Sequence, residues 1–294
     1  MTYRVLREPR HETRQVRGLD IHLRRWGAAN GRAPLVLLHG WQDSGETFQI
    51  LVDRFREDRP AVAVDWRGFG DSGWAPDGYW FPDYLADLDA LLTQLVAGEP
   101  ARIIGHSMGG NVACLYAGLK PERVRSVVNL EGFGLPRTSP SQAPERLRTW
   151  LDQVKSPTAS KDYGSMAELA SLIRKRYPRF SEPQASLVAN AWGRLTEDGR
   201  VHLKADPRHR WVNPVLYRRE EAEACWREVK APVLMLLGEE SEYLGGLGEE
   251  GTDAAMRAMI PGMELIRVAG AGHMLHIEKP EAVAALIEQF LNTH

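Results

Sequence analysis

The most constraining feature of this sequence is a series of short apolar segments, separated by stretches long enough for helices. The segments are rich in Val, Ile and Leu and lack the strict alternation of a half-exposed strand. Such runs are typical of strands buried on both faces of a mostly parallel sheet. Two early segments, Val5–Leu6 and Ile21–Trp26, suit antiparallel edge strands. The buried strands that we predict are Leu35–Leu38, Ala61–Val64, Arg102–Ile104, Val124–Leu130, Pro232–Leu237 and Glu264–Val268.

Amphipathic helical patterns lie between these predicted strands. In Phe81–Val96, five leucines recur at helical spacing and the aspartates lie mainly off their stripe. Asn111–Leu119 and Glu281–Leu291 follow the same pattern, and Pro280 suits the first position of the second helix. Strands that alternate with helices predict an α/β fold, in which helices cover both faces of the sheet.

The alternation stops after residue 130 and resumes near residue 231. The intervening sequence has several proline-containing breaks between helical stretches, which are Glu145–Val154, Met166–Tyr177 and Pro183–Leu195. We interpret residues 135–230 as a helical insertion, and residues 1–134 and 231–294 as one sheet domain. The insertion holds 18 basic and 12 acidic residues, so that its net charge is +6, whereas the rest of the chain carries −8.

The composition excludes several classes of protein. The 294 residues include 37 Lys and Arg against 39 Asp and Glu, a net charge of −2 that argues against nucleic-acid binding by bulk positive charge. Two cysteines are too few for a disulfide framework, and no His or carboxylate cluster shows metal-ligand spacing. No apolar segment is long enough for a membrane span, and the amino terminus is too polar for a secretory signal. We expect a cytoplasmic enzyme, monomeric or homodimeric, without a metal or cofactor.

The strongest local signal is the segment Gly105-His106-Ser107-Met108-Gly109. It follows a predicted strand and precedes a predicted helix, and this strand–turn–helix context is the one that a nucleophile elbow requires. A serine at the apex of so sharp a turn needs small neighbours, which the glycines supply. The dipole at the amino end of the next helix favours negative charge beside the serine.

On this segment and three others, the sequence resembles the α/β-hydrolase family. His39-Gly40-Trp41 resembles the family's HGxxx loop, and residues 65–72 (DWRGFGDS) resemble its D-x-R-G-x-G-x-S loop. Residues 270–280, GAGHMLHIEKP, resemble its G-x-G-H…E-x-P segment. The resemblance implies a mostly parallel eight-stranded sheet with helices on both faces and a helical cap inserted after the sixth strand. The insertion at residues 135–230 is located at that point.

The resemblance also implies roles for individual residues. Ser107 would be the nucleophile and His273 the base that takes its proton. The backbone N–H groups of Met108 and Trp41 would form the oxyanion hole. Residues 65–72 would support the loop structure rather than take part in the chemistry.

The acid of the catalytic triad is where the sequence departs from the commonest family pattern, which places an Asp after the seventh strand. Here that loop holds Glu239, Glu240 and Glu242, and Glu242 matches the position of the usual Asp. Some members instead place the acid after the sixth strand, where this chain has Glu131. Glu242 is the preferred candidate because of this match, Glu131 is the second, and Glu240 or Glu239 could compete as neighbours of Glu242. Both Glu242 and Glu131 follow the chain order serine, acid, histidine.

The predicted function is that of a serine hydrolase acting on small or medium-sized carboxylic esters. Ser107 argues against haloalkane dehalogenases and epoxide hydrolases, since those relatives carry Asp at the elbow. A carbon–carbon bond hydrolase, a cofactor-free haloperoxidase and a non-catalytic ligand receptor of the same fold are the alternatives. Aromatic side chains are candidates for lining the substrate cavity, namely Trp41, Trp150, Trp192 and Trp211. Those of the insertion suit its own small core equally well.

Overall fold

The computed structural model describes residues 2–28, 31–96, 98–156 and 159–294. Its strands are β1 Arg10–Val16, β2 Leu19–Trp26, β3 Leu35–Leu38, β4 Ala61–Val64, β5 Ala101–His106, β6 Val124–Leu130, β7 Asp162–Tyr163, β8 Gly193–Leu195, β9 Val201–Leu203, β10 Val233–Gly238 and β11 Glu264–Val268. Its α-helices are α1 Gln49–Val52, α2 Phe81–Leu95, α3 Met108–Leu119, α4 Ala143–Lys155, α5 Met166–Arg176, α6 Glu182–Trp192, α7 Arg219–Arg227, α8 Asp253–Met259, α9 Leu275–Glu278 and α10 Pro280–Thr293. The 3₁₀ segments are Gly45–Phe48, Pro121–Arg123, Pro140–Gln142, Pro207–Arg210 and Leu244–Gly251.

Eight strands form one sheet in the order β1-β2-β4-β3-β5-β6-β10-β11. Strand β2 is antiparallel to both of its neighbours, and the pairs from β4 to β11 are parallel. The predicted fold class, a mostly parallel eight-stranded α/β sheet, is confirmed. Because parallel strands point the same way, the loops after β3, β5, β6, β10 and β11 emerge at a single edge of the sheet.

The predicted edge strand at Val5–Leu6 is wrong, because the first strand is Arg10–Val16. Only one residue of β1, Val16, is fully buried, and the strand pairs with β2 through its backbone along its length. A strand at the margin of a sheet needs no apolar face, so it carries no periodic signal in the sequence. Strands β3, β4, β6 and β11 have the predicted bounds, but β11 is the edge strand of the sheet and only Leu265 and Val268 of its residues are buried.

Two apolar layers sandwich the sheet. On one face, α2 and α3 pack with buried side chains that include Trp66, Tyr84 and Tyr116. On the other, α1 and α10 pack with Phe48, Leu51, Ile287 and Phe290. The burial of both faces explains why the central strands are apolar without alternation.

The segment from residue 135 to 230 contains α4 to α7, and it also contains a feature that the helical prediction omitted. Strands β7, β9 and β8 form a small antiparallel sheet. The buried apolar residues of the whole segment pack together with Ile50, Met274 and Ile277, which lie outside it. The segment therefore rests on the loop that follows β11. Strands of two or three residues are too short to be recognised from sequence periodicity.

No helix in the described ranges has the length and apolarity needed to cross a bilayer.

Candidate active site

The turn after β5 has the geometry of a strained nucleophile elbow. Ser107 lies between β5 and α3 with φ 51° and ψ −114°, a conformation that side-chain-bearing residues rarely adopt. A Cβ on Gly105 would lie 2.4 Å from the carbonyl oxygen of Gly109, and one on Gly109 would lie 2.1 Å from that of Leu38. Only glycine therefore allows this turn to pack against the end of β3.

His273 follows β11, and its imidazole contacts the carboxylate of Glu131. His273 Nδ1 lies 3.0 Å from Glu131 Oε2. A carboxylate accepts hydrogen bonds, so this contact places the ring proton on Nδ1 and leaves the lone pair on Nε2. The imidazole is thereby held in the tautomer that a general base requires.

Glu131 is itself held tightly at the end of β6. Its side chain is buried, its carboxylate accepts hydrogen bonds from the backbone N–H of Gly238 at 2.6 Å and from the hydroxyl of Ser241, and its φ is +62°. Gly238 and Ser241 were not predicted as site residues. The positive φ turns Glu131 out of the strand direction, and the loop after β10 supplies two donors that fix its carboxylate.

Glu242, the acid preferred from the sequence, does not contact the imidazole in this way. Its side chain is exposed, and its Oε2 accepts a hydrogen bond from the backbone N–H of His273 at 3.4 Å. The competitor Glu240 forms an ion pair with Arg179. The geometry thus favours Glu131, the second candidate, as the partner of His273.

Aromatic side chains surround the His273 ring. The ring centroids of Tyr243 and His106 lie 4.4 and 4.9 Å from that of His273, and the ring of Phe133 lies edge-on at 6.4 Å. His106 Nε2 also lies 3.0 Å from the carbonyl oxygen of His273, to which it donates. Phe133 and Tyr243 were not singled out in the sequence, because each flanks a motif rather than belonging to one.

The HGW loop lies against the elbow. A Cβ on Gly40 would lie 3.2 Å from Ser107 Cβ, which shows how closely the two turns approach. Two hydrogen bonds of His39 hold the loop in place. Its Nε2 accepts a hydrogen bond from the backbone N–H of Trp66 at 2.9 Å, and its Nδ1 donates one to the carbonyl oxygen of Gly40 at 2.7 Å. Burial lowers the pKa of His39 to about 4, so the ring is neutral and serves as a scaffold.

The predicted oxyanion-hole residues lie at the ends of these two turns. Met108 is the first residue of α3, where a backbone N–H has no acceptor within the helix. Trp41 follows Gly40, and its side chain is 53% exposed, so it does not form a closed wall. Gln42 next to it has φ +62°, which marks a second strained turn at this edge.

Buried ion pairs and hydrogen bonds hold the DWRGFGDS loop in place. Asp65 accepts from the guanidinium of Arg24 at 2.7 Å and from the backbone N–H of Gly45 at 2.7 Å. Burial by itself raises the pKa of Asp65, but Arg24 and the hydrogen bonds outweigh it and hold the pKa well below the usual range. Arg67 forms a two-pronged ion pair with Asp87, with both N···O distances 2.6 Å.

The three tryptophans predicted in the insertion lie in different surroundings. Trp192 donates from Nε1 to Asp43 Oδ1 at 2.7 Å and thereby links the insertion to the loop after β3. Trp211 lines a cavity of about 390 Å³ together with Trp74. Trp150 is half-buried on α4. Among the described residues, neither Ser107 nor His273 lines the cavity at Trp211, so the structure does not join this cavity to the elbow.

Comparison with known proteins identifies the family to which the fold belongs. A family model for the alpha/beta hydrolase fold matches residues 33–280. A serine hydrolase-like protein of Danio rerio is 30% identical over 274 residues, covering 90% of this chain and 83% of the relative. The esterase YbfF of Escherichia coli is 26% identical and covers 93% of this chain and 100% of the relative.

Among solved structures, the thioesterase domain from the curacin biosynthetic pathway superposes with a TM-score of 0.82 at 24% identity, covering 96% of this chain and 99% of that domain. At this identity the match shows the fold alone. The family model and the first relative cover most of the chain, and the chain belongs to the α/β-hydrolase fold family.

Proposed function

We propose that this α/β hydrolase cleaves carboxylic esters of small or medium-sized molecules through an acyl-enzyme. The observation that carries the proposal is the contact between His273 Nδ1 and the buried carboxylate of Glu131, in a chain whose Ser107 has the strained backbone of a nucleophile elbow. An imidazole oriented by a carboxylate is the arrangement that activates a serine hydroxyl. The name of one relative, an esterase, points to the same class of bond.

In the proposed reaction, Ser107 Oγ attacks the acyl carbon of the ester while its proton passes to His273 Nε2. The carbonyl oxygen becomes an oxyanion, which the backbone N–H groups of Met108 and Trp41 stabilise. The intermediate collapses, the C–O bond to the alcohol breaks, and His273 returns the proton to the departing alcohol. Glu131 stays ionised and stabilises the imidazolium.

The second half of the reaction repeats these steps with water. His273 takes a proton from water as its oxygen attacks the acyl-enzyme, and the same N–H groups hold the second oxyanion. The bond to Ser107 Oγ breaks, the serine regains its proton, and the carboxylic acid leaves. No cofactor takes part in this scheme.

A fluorophosphonate probe combined with an ester series tests the proposal. We expect covalent labelling of the wild-type chain, turnover of p-nitrophenyl esters of short to medium acyl length, and loss of both in Ser107→Ala. Labelling without ester turnover would contradict the ester substrate and favour a carbon–carbon bond hydrolase or a cofactor-free haloperoxidase. Assays of carbon–carbon bond hydrolysis and of peroxide-dependent halogenation distinguish these two. Absence of both labelling and turnover would reject the hydrolase proposal and favour a ligand receptor.

A further inference from the structure

A second group of ionisable side chains lies behind the elbow and plays no part in the proposed reaction. Asp43 follows the HGW loop, His106 ends β5, and His276 lies on α9. Each offers one ligand atom, and these three atoms lie within 4.8 Å of one another. All three residues are buried, with exposed fractions of 5%, 2% and 0%. The loop after β3, the end of β5 and helix α9 thus bring one carboxylate and two imidazoles together.

Several nitrogen atoms of this cluster lack a hydrogen-bond partner within the described residues. They are His106 Nδ1 and both ring nitrogens of His276. Since His106 Nε2 donates to the carbonyl oxygen of His273, its Nδ1 carries a free lone pair. Both ring nitrogens of His276 lack a partner, so whichever of them carries the proton, the other offers a lone pair. Buried polar atoms are almost always satisfied, and such unpaired atoms require an explanation.

The carboxylate of Asp43 is held in place and keeps capacity for a further ligand. Its Oδ1 accepts from Trp192 Nε1 at 2.7 Å and its Oδ2 from Thr47 Oγ1 at 3.0 Å. The backbone N–H of Ser44 donates to this carboxylate as well. A carboxylate has about four lone-pair positions, so these three hydrogen bonds leave room for one further contact. Donors of this kind orient a ligating carboxylate in many metal sites.

A comparison within the same chain separates this cluster from an ordinary charged one. His22, Asp65 and Asp71 also place their ligand atoms within 4.8 Å of one another. There, however, Arg24 contacts Asp65 at 2.7 Å and Asp71 at 3.0 Å, so a cation is already present. The cluster of Asp43, His106 and His276 has unpaired nitrogen atoms, whereas the guanidinium of Arg24 already pairs with the carboxylates of the second cluster.

We propose that Asp43, His106 and His276 bind one divalent transition-metal ion of the zinc type. Two neutral imidazoles and a carboxylate suit such an ion, whereas Ca²⁺ and Mg²⁺ prefer sites made of oxygen. Bonds of about 2.0–2.1 Å in a tetrahedral site require the ligand atoms to approach one another by roughly an ångström. The ion joins three separate segments of the chain and takes no part in the attack by Ser107, so this inference does not depend on the proposed function.

Titration of the metal-free protein with zinc, in competition with a chromophoric chelator, tests the proposal. We expect the wild type to bind one equivalent of zinc. We expect it to bind neither Ca²⁺ nor Mg²⁺ with comparable affinity. His276→Gln and Asp43→Asn should each weaken binding by about tenfold or more. His202→Gln, which changes an exposed histidine of the insertion, should leave it unchanged.

Two further measurements keep the outcome decisive. The catalytic pair His273 and Glu131 offers another imidazole and carboxylate, so His273→Ala should retain the zinc equivalent if the proposed site is correct. If His276→Gln does not fold, the Co²⁺ complex of the wild type should show the strong visible absorption of a tetrahedral site, and Asp43→Asn should lose it. No bound zinc, binding lost in His273→Ala, or unaltered binding in both folded ligand variants would overturn the proposal.

Discussion

At the scale of single residues, two glutamates compete for the role of the triad acid. Glu131 reaches His273 Nδ1 at 3.0 Å from a buried position, whereas Glu242 lies exposed and touches only the backbone N–H of that residue. Both follow strands that are neighbours in the sheet, β6 and β10. Chain position alone therefore does not separate them.

Replacing each glutamate by the isosteric glutamine distinguishes the two. We expect Glu131→Gln to lower kcat for a p-nitrophenyl ester by about 10³–10⁴, because the amide no longer orients the imidazole or stabilises its charge. Glu242→Gln should stay within about threefold of the wild type and serves as the control. Circular dichroism of both variants checks the fold, and a larger loss in Glu242→Gln would contradict the assignment.

At the scale of elements, the elbow depends on how closely α3 approaches β3. A Cβ on Gly109 would lie 2.1 Å from the carbonyl oxygen of Leu38. The nearest atoms all belong to the backbone of Leu38 and His39, so no flexible side chain can move aside. Ala favours helix over Gly in isolation, so a local propensity argument predicts the opposite sign. Packing decides the effect here.

Gly109→Ala should therefore reduce ester turnover at least about a hundredfold, because displacing α3 misplaces the oxyanion-hole N–H of Met108. It should also lower the thermal midpoint. Gly246→Ala is a matched control, since nothing lies within 4 Å of the added Cβ. Kinetics and thermal unfolding measured side by side would refute the close-approach argument if the two variants behaved alike.

At the scale of the whole molecule, Arg219 links the segment from residue 135 to 230, which we predict to be an insertion, to residues outside that segment. Its buried guanidinium donates to the carbonyl oxygens of Phe133 and Leu135, where the chain enters the insertion. It also pairs with Glu223 on α7 and Glu250 in the loop after β10, both at 3.1 Å. One side chain thus joins the entry and the exit of the insertion.

Removing this guanidinium should cost about 3–5 kcal/mol of unfolding free energy in Arg219→Ala, because two carbonyls and two carboxylates lose a buried cation. Arg137 pairs with the same glutamates but is half exposed, so Arg137→Ala should cost less than about 1 kcal/mol. Urea unfolding measures both, and equal losses would show that burial does not set the difference.

The sequence by itself determined the sheet, the elbow and the positions of Ser107 and His273, because strands buried on both faces and tight glycine turns leave local patterns. It did not reveal β1 or the small sheet of the insertion, whose pairing rests on backbone bonds without an apolar period. Only the tertiary structure places the carboxylate of Glu131, rather than that of Glu242, against the imidazole of His273. The positive φ of Glu131 and the donors of Gly238 and Ser241 hold it there, and these donors lie at the end of β10 and just after it, more than a hundred residues along the chain.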